Sequence, residues 1–210
     1  LLYAPDYGIP QMRKRVFFVG LRDSHEDFKF PEPTVGKNDY VTCEEAIGDL
    51  PSLQTDEGDI IYGEEIQDYL YPIQNDYQKR MRANSEKVRN HIGSIPIEKT
   101  KFMISLVPEG KNYKALPEEY QGIYKYHEAL TRYHSKKPSN TINTGHRSHF
   151  HYKWNRIPTV RESARLQSFP DDFIFSGNKS EQYRQVGNAV PPILGQVVAD
   201  ALLPYLKDGE

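Results

Sequence analysis

Hydrophobic and polar positions follow a clear period in only a few parts of this chain. Residues 15–21 are rich in β-branched and aromatic side chains and follow the turn-forming Gly8 and Pro10, so we predict a strand there. Near the other end, Pro191 and Pro192 precede an apolar stripe at helical spacing, which predicts a last helix packed on the core. The stripe consists of Ile193, Leu194, Val197, Val198, Ala201, Leu202 and Tyr205.

Helix-start signals define most of the remaining elements. Thr42 with Glu45, and Thr159 with Glu162, have the spacing of capping boxes. They predict a short helix that stops by Pro51 and a second helix that runs through Leu166. We also predict helices at residues 75–88 and at residues 180–186, the latter with Gly187 as its C-terminal cap. Residues 91–145 have weak periodicity and predict short strands and loops.

Composition narrows the class of protein. The 210 residues carry a formal net charge of −2, whereas a nucleic-acid binder is often basic, so any such surface must be local. One cysteine excludes a disulfide framework or a cysteine zinc site within one chain and fits a reducing compartment. We find no signal peptide and no apolar run of transmembrane length, and therefore expect no membrane contact. The first residue, Leu1, suggests a piece of a longer protein.

Three stretches carry a family resemblance. Residues 4–20 read APDYGIPQMRKRVFFVG, residues 159–173 read TVRESARLQSFPDDF, and residues 182–192 read QYRQVGNAVPP. In this order, with about 140 residues between the first and the second, they resemble sequence blocks of the DNA (cytosine-5) methyltransferases. Thr141 and Ile142 also resemble a pair near the end of that family's target-recognition domain.

The resemblance implies an α/β fold with two parts. One part comprises the C-terminal strands and helices of a Rossmann-like methyltransferase domain, and the other is an inserted small, mixed, loop-rich recognition domain. We expect residues 1–29 to supply strands of the catalytic domain and residues 30–150 to form the recognition domain. Residues 151–210 would then form the closing part of the catalytic domain with its C-terminal helix.

The family's reaction requires groups that this sequence does not contain. A cysteine in a Pro-Cys pair attacks carbon 6 of a flipped cytosine, and S-adenosylmethionine donates the methyl group to carbon 5. Cys43 follows Thr42 at a helix start and does not match that pair. The family's Glu-Asn block and Gly-rich cofactor loop are also missing. We therefore expect this chain to be inactive alone and to require the N-terminal catalytic half of the same enzyme.

The resemblance also assigns roles to residues of the chain. Arg15 would contact the flipped cytosine or its sugar-phosphate, Arg13 would support the same site, and Gln11 would help to position the pair. Alternation on an exposed strand face would also explain the two arginines, but the surrounding block favours the role at the flipped base. The far wall of the S-adenosylmethionine pocket would comprise Asn188, Ala189 and Val190, with Gly187 allowing close approach of the backbone to the ligand. A plain junction between helices would use the same residues.

The resemblance implies that the partner is double-stranded DNA. Phosphate contacts would set the register, and a few base contacts would recognise the sequence. The candidate DNA-binding residues are Lys79, Arg80, Arg82, Arg89, Thr141, Arg147 and Arg161. The basic stretch at residues 79–89 fits a solvated helix face as well. His146, His149 and His151 lack a fourth ligand, so we expect no metal site and place these histidines near DNA. The resemblance also implies that Arg161, Glu162, Arg165 and Gln167 tie the recognition domain to the catalytic domain, with Arg161 near a phosphate. Glu162 is also explained by capping and is not interpreted as a catalytic acid.

The leading hypothesis is the C-terminal part of a DNA cytosine-5 methyltransferase that supplies target recognition. We expect it in the cytoplasm of a bacterium, acting on nucleoid DNA in a restriction-modification system. One alternative is a natural specificity subunit, or a DNA-binding module, of a split methyltransferase. Another is a tRNA cytosine methyltransferase, from the branch of the family that acts on RNA.

Overall fold

The chain has a mixed α/β fold built from short elements. The computed structural model describes residues 1–22, 27–55, 59–122, 130–145 and 148–206. Within these ranges the strands form three two-stranded sheets. The antiparallel pairs are β1 (Leu2–Tyr3) with β2 (Lys14–Arg15) and β3 (Ile66–Asp68) with β4 (Lys87–Arg89), and β5 (Thr131–Arg132) pairs in parallel with β6 (His149–Phe150).

Helices supply most of the regular structure. They are α1 (Cys43–Ile47), α2 (Asp76–Arg82), α3 (Glu98–Ser105), α4 (Glu118–Gln121), α5 (Val160–Leu166), α6 (Lys179–Asn188) and α7 (Pro192–Leu202). Single 3₁₀ turns occupy Ala4–Tyr7, Tyr113–Ala115 and Leu203–Tyr205.

Both predicted capping boxes are confirmed. The Glu45 backbone amide donates to the Thr42 hydroxyl over 3.3 Å, and the Glu45 carboxylate accepts from the Thr42 amide over 2.8 Å. Thr159 and Glu162 form the same reciprocal pair at 3.1 and 2.7 Å. Each box satisfies amide groups that a helix start otherwise leaves unpaired, which is why α1 and α5 begin where the sequence predicted.

Three element predictions are wrong in their bounds. The helix predicted for residues 75–88 ends at Arg82, because the following turn leads into β4, where Val88 pairs with Gln67. The region predicted to hold only strands and loops contains α3 and α4. Gly187 is not a C-terminal cap: it lies inside α6, which ends one residue later and is followed by Ala189 in an extended conformation.

The predicted strand at residues 15–21 is also shorter than expected. Strand β2 ends at Arg15, and among the described residues no other strand pairs with the segment that follows. Val16 is 60% exposed and Phe18 is 94% exposed, while Phe17 packs against the core. The β-branched and aromatic residues that predicted the strand therefore alternate between a packed face and a face that is exposed to solvent.

Two apolar clusters hold the fold together. The larger one joins β1, α1, α2, α5, α6 and α7, and includes Ala46, Leu166 and Leu194. The smaller one lies in the middle of the chain and consists of Met103, Ile104, Val107, Leu116, Leu130 and Phe150. Residues 30–150 thus contribute to both clusters, since Tyr77 and Ile142 belong to the larger one.

The last helices contain the apolar stripe. Ile193, Leu194 and Val198 of α7 are buried in the larger cluster, as the stripe predicted. Among the described residues, Lys179–Tyr205 is a stretch of 27 residues whose length and apolar composition would also suffice to cross a membrane, contrary to the sequence expectation. It comprises two helices separated at Pro191, and a buried core helix meets the same criterion, so we interpret it as a packed helix pair.

Candidate active site

The first sequence block lies beside the segment around Ser139. Gln11 forms a parallel bridge with Ser139. On either side, the Ser139 amide donates to the Pro10 carbonyl over 2.9 Å, and the Met12 amide donates to the Ser139 carbonyl over 2.8 Å. Two segments more than 120 residues apart in the sequence therefore run side by side.

Arg13 joins three distant parts of the chain. Its side chain is buried, and one guanidinium nitrogen donates to the Ile142 carbonyl over 2.9 Å. The other terminal nitrogen donates to the carbonyls of Gly187 and Ala189 over 2.9 and 3.1 Å. Burial and the nearby charge of Arg15 lower the pKa of Arg13 to about 10, so the guanidinium remains charged at neutral pH.

Two glutamines, Gln11 and Gln167, add hydrogen bonds beside Arg13. The Gln11 side-chain oxygen accepts from the Ile142 amide over 3.0 Å, and its nitrogen donates to the side chain of Gln167. Gln167 in turn donates to the carbonyls of Val186 and Ala189 over 3.2 and 2.7 Å. We call Gln11, Arg13 and Gln167 the junction network. It fixes the end of α6 against the first block and residue 142.

Gly187 is required by a close contact within the protein, and not by a helix cap. A Cβ at this position would clash with the Asn143 carbonyl and lie 2.7 Å from the Thr144 amide nitrogen. The close approach is therefore to the backbone of residues 143–144, and this contact accounts for the glycine without any ligand.

Around the junction network the predicted site residues differ in exposure. Arg15 is half-buried, and its guanidinium donates to the carbonyl of the adjacent Lys14 over 2.7 Å. Burial lowers the pKa of Arg15. Asn188 and Val190 are exposed, whereas Ala189 is half-buried and its carbonyl points inward to the junction network. Arg15, Asn188 and Val190 thus retain surface that a ligand could reach.

Within the basic stretch at residues 79–89, some side chains are exposed and others have partners inside the protein. Lys79 and Arg80 are exposed, and Arg80 donates to the Gln196 side chain over 2.8 Å. Arg82 stacks 3.7 Å above the Tyr69 ring and donates to the Asp49 carboxylate over 3.2 Å. Arg82 therefore has internal partners. Arg89 lies in β4 and is half-buried.

Arg161 is bound inside the protein. Its side chain is fully buried, and it donates to the carbonyls of Arg89, Pro170 and Phe173 at 3.0, 3.1 and 2.7 Å. This geometry favours a structural tie over the predicted phosphate contact. Thr141 is half-buried and donates through its hydroxyl to the Met12 carbonyl over 2.6 Å. Arg147 and His146 lie outside the described residues.

A second buried arginine anchors α5. Arg165 binds Asp171 with two nitrogens at 2.5 and 2.6 Å and Asp49 at 3.1 Å. Burial alone would lower the pKa of Arg165, but the two carboxylates raise it. The Asp171 carboxylate also accepts from Tyr69. The acidic partners of Arg165 could not be predicted from the sequence, because Asp49 and Asp171 come from separate segments.

The histidines that sequence analysis placed near DNA are buried where they are described. His151 is 3% exposed, accepts at Nδ1 from the Lys153 amide over 3.0 Å, and lies 3.6 Å from Glu162. Glu162 forms a two-point pair with Arg156 at 2.7 Å. Burial alone would raise the pKa of Glu162, but Arg156 holds it well below its usual range. Among the described residues no group of three or more His, Cys, Asp or Glu could hold a metal ion.

Cys43 is a packing residue in this structure. It is the first residue of α1, and its side chain has no exposed surface. Burial raises the pKa of its thiol. A thiolate is the nucleophilic form, so this position is unsuited to attack on a base.

Known proteins resemble this chain along nearly its whole length. A family model described as C-5 cytosine-specific DNA methylase matches residues 1–203. The type II methyltransferase M.DdeI of Desulfomicrobium norvegicum is 34% identical over 99% of this chain and 54% of its own length. The type II methyltransferase M1.HphI of Haemophilus parahaemolyticus is 39% identical over 97% of this chain and 46% of its own length.

A solved structure shares the fold. It is described as a DNA modification methyltransferase encoded within a prophage, from E. coli, and it superposes with a TM-score of 0.70 at 23% sequence identity. The match covers 97% of this chain and 58% of that one. This chain therefore spans about half the length of the curated relatives and little more than half of the solved chain.

Proposed function

Because this chain belongs to the C-5 cytosine-specific DNA methylase family, we propose that it is part of an enzyme that methylates carbon 5 of cytosine in a specific DNA sequence. The observation that carries this proposal is the junction network, which brings the first block, residues 141–142 and the closing block to one place. The relatives are named type II methyltransferases, which favours duplex DNA over transfer RNA. A restriction-modification role in bacterial cytoplasm, acting on nucleoid DNA, fits that substrate.

Residues 188–190 form one wall of the proposed S-adenosylmethionine site. The cofactor supplies an electrophilic methyl group when it is bound. The junction network holds the Ala189 carbonyl inward, which leaves the Asn188 amide and the Val190 side chain at the surface. An amide beside an apolar group suits a ligand with both polar and apolar parts.

Arg15 is the proposed contact to the flipped cytosine or its sugar-phosphate. Its guanidinium can donate to two oxygens at once, and its one described partner is a solvent-facing backbone carbonyl. Gln11 and Arg13 do not need to touch the base for this role. Their buried hydrogen bonds to residues 142 and 187–189 position the surrounding backbone instead.

Residues 30–150 form the proposed recognition domain, inserted between residues 1–29 and residues 151–210 of the catalytic domain. The smaller apolar cluster lies within or beside this insertion and supplies a core that is partly its own. Lys79, Arg80, Arg89, Thr141 and Arg147 remain DNA-contact candidates. Arg82 and Arg161 are poorer candidates, because their side chains are largely or fully buried among internal partners.

The remaining half of the relatives' length is the proposed source of the nucleophilic cysteine and the rest of the cofactor site. Val16 and Phe18 of the first block and Val190 of the closing block are exposed apolar side chains. Burial of such a surface is favourable, and an N-terminal catalytic half that packs there would cover it. Without that half this chain supplies DNA recognition and one wall of the cofactor site, and it does not catalyse the methyl transfer.

Substitutions at Arg15 test the proposed role. In the full-length protein, Arg15→Ala should lower the turnover number at least about tenfold, because it removes a charge-assisted hydrogen bond, and the S-adenosylmethionine Kd should stay near wild type. Arg15→Lys should recover part of the activity, and Lys14→Ala, one residue away and exposed, should remain active. Equal reductions in turnover and cofactor affinity would count against the role.

A further inference from the structure

A polar cleft lies on the recognition segment, away from the basic stretch. It has a volume of about 510 Å³, and its polar lining consists of Lys111, Asn112, Lys114, Thr131 and Asn140. We call it the lysine cleft. None of the predicted DNA-binding residues that the structure describes lines it.

The charges of the lysine cleft favour an anion. Lys111 and Lys114 are exposed, and neither forms an ion pair with a carboxylate in the part of the chain that the structure describes. Among those same residues, no acidic side chain lines the cleft. The cleft beside the basic stretch differs, because Glu86, Asp171 and Asp172 line it.

The walls of the lysine cleft are held in place before any ligand binds. The Lys111 carbonyl accepts from the Arg132 amide of β5 over 2.9 Å, and the Gly110 amide donates to the Tyr133 carbonyl over 3.2 Å. Gly110 has a φ of +72°, which glycine adopts without strain. Leu116 is buried in the smaller cluster beside it. A preformed site loses less entropy on binding than a mobile one.

The lysine cleft borders the candidate active site. Asn140 is half-buried and lies between two residues that bind the first block. Ser139 pairs with the backbone around Gln11, and the Thr141 hydroxyl donates to the Met12 carbonyl. A strand that reaches Arg15 along this edge would therefore pass the cleft.

We propose that the lysine cleft is a DNA-binding site, in which Lys111 and Lys114 contact backbone phosphates and the Asn140 amide contacts a base edge. Lysine is suited to phosphates as a point charge, and these contacts fix register without carrying sequence information. An amide can donate to and accept from an adenine edge in the major groove, and so discriminates between bases. This inference rests on the proposed function and adds contacts that sequence analysis missed.

The first test measures how salt weakens binding. The full-length protein is titrated with duplex DNA that carries the methylation site found by bisulfite sequencing of host DNA. Removal of one lysine–phosphate interaction should flatten the slope of log K against log salt by about 0.9. K111A/K114A should therefore lower the slope by about two. The control K37A/K99A, which removes two exposed lysines elsewhere, should leave it unchanged.

The second test measures specificity with the same protein. Asn140→Ala should reduce discrimination between the correct site and a single-base variant by roughly 5- to 150-fold, with an unchanged salt slope. If wild type methylates DNA but the lysine variants behave like the control, the inference is overturned and the proposed function stands. A wild type that neither binds nor methylates duplex DNA overturns both. A lysine effect confined to RNA also overturns the inference.

Discussion

Gly187 of α6 is in backbone contact with Asn143, the residue that follows Ile142. A side chain at position 187 would occupy the space of the Asn143 carbonyl, and a backbone group cannot rotate away as a flexible side chain can. The closing block and residues 142–144 are thus packed as one unit. The junction network reinforces the contact, because Arg13 donates to carbonyls on both sides of it.

Replacing this glycine should therefore separate the two segments. We expect Gly187→Ala to lower the free energy of unfolding by about 1–3 kcal/mol through overpacking. Gly195→Ala in α7 is the matched control, since a Cβ there meets nothing within 4 Å and alanine favours a helix by about 1 kcal/mol. Denaturant unfolding of the two variants should give shifts of opposite sign. Similar shifts would show that the close contact is absent.

The buried pair of Arg165 and Asp171 should contribute far more to stability than a surface pair. Asp171→Asn leaves a fully buried guanidinium with weakened partners, and we expect the free energy of unfolding to fall by about 3–5 kcal/mol. The control is Asp68→Asn, which breaks an exposed pair with Lys87 and should cost less than about 1 kcal/mol. Denaturant midpoints measure both. Comparable shifts in the two variants would contradict a tightly packed charge cluster.

His151 should make the fold sensitive to acid. Burial lowers its pKa from 6.5 to about 3, against the opposing effect of the Glu162 carboxylate. Between these pH values His151 binds a proton in the unfolded chain but not in the folded one. The stability that the neutral, buried His151 contributes is therefore complete above pH 6.5 and disappears progressively toward pH 3. We expect His151→Asn to give a shallower fall in unfolding free energy over that range. Parallel pH profiles would show that His151 titrates normally.

The sequence predicted best those features that depend on neighbouring residues. The capping boxes at Thr42 and Thr159 are local hydrogen-bond patterns, and both helices start as predicted. The apolar stripe of α7 likewise needs only a regular period. In contrast, α3 begins after Ile97 without a side-chain cap, and its sequence carried no start signal.

Features that depend on distant partners could not be predicted in this way. The sequence does not distinguish Arg161 from Arg15, since both are arginines. In the structure, Arg161 is surrounded by the carbonyls of residues 89, 170 and 173. Arg15 has no such surroundings and is half-buried. Gly187 was interpreted as a helix cap because its actual neighbour, Asn143, is 44 residues away. Lys111 and Lys114 could not be identified from the sequence as binding residues, because the cleft that they form with Asn140 exists only in the folded chain.

Cys43 provides a sharp test of where the nucleophile lies. In the full-length protein, Cys43→Ala should keep methyl transfer within a few-fold of wild type, since this buried thiol packs in the core and does not react. The substitution should cost on the order of 1 kcal/mol of stability. Methyl incorporation and thermal unfolding measure the two effects. Abolished transfer in a protein that remains folded would identify Cys43 as essential to the chemistry.

The most direct measurement is transfer of labelled methyl from S-adenosylmethionine to duplex DNA. The full-length protein should incorporate label at carbon 5 of cytosine in a specific sequence. The 210-residue chain alone should incorporate none, and addition of the separately produced N-terminal half should restore transfer. Incorporation by the isolated chain, or none by the full-length protein, would contradict the proposed division of the enzyme.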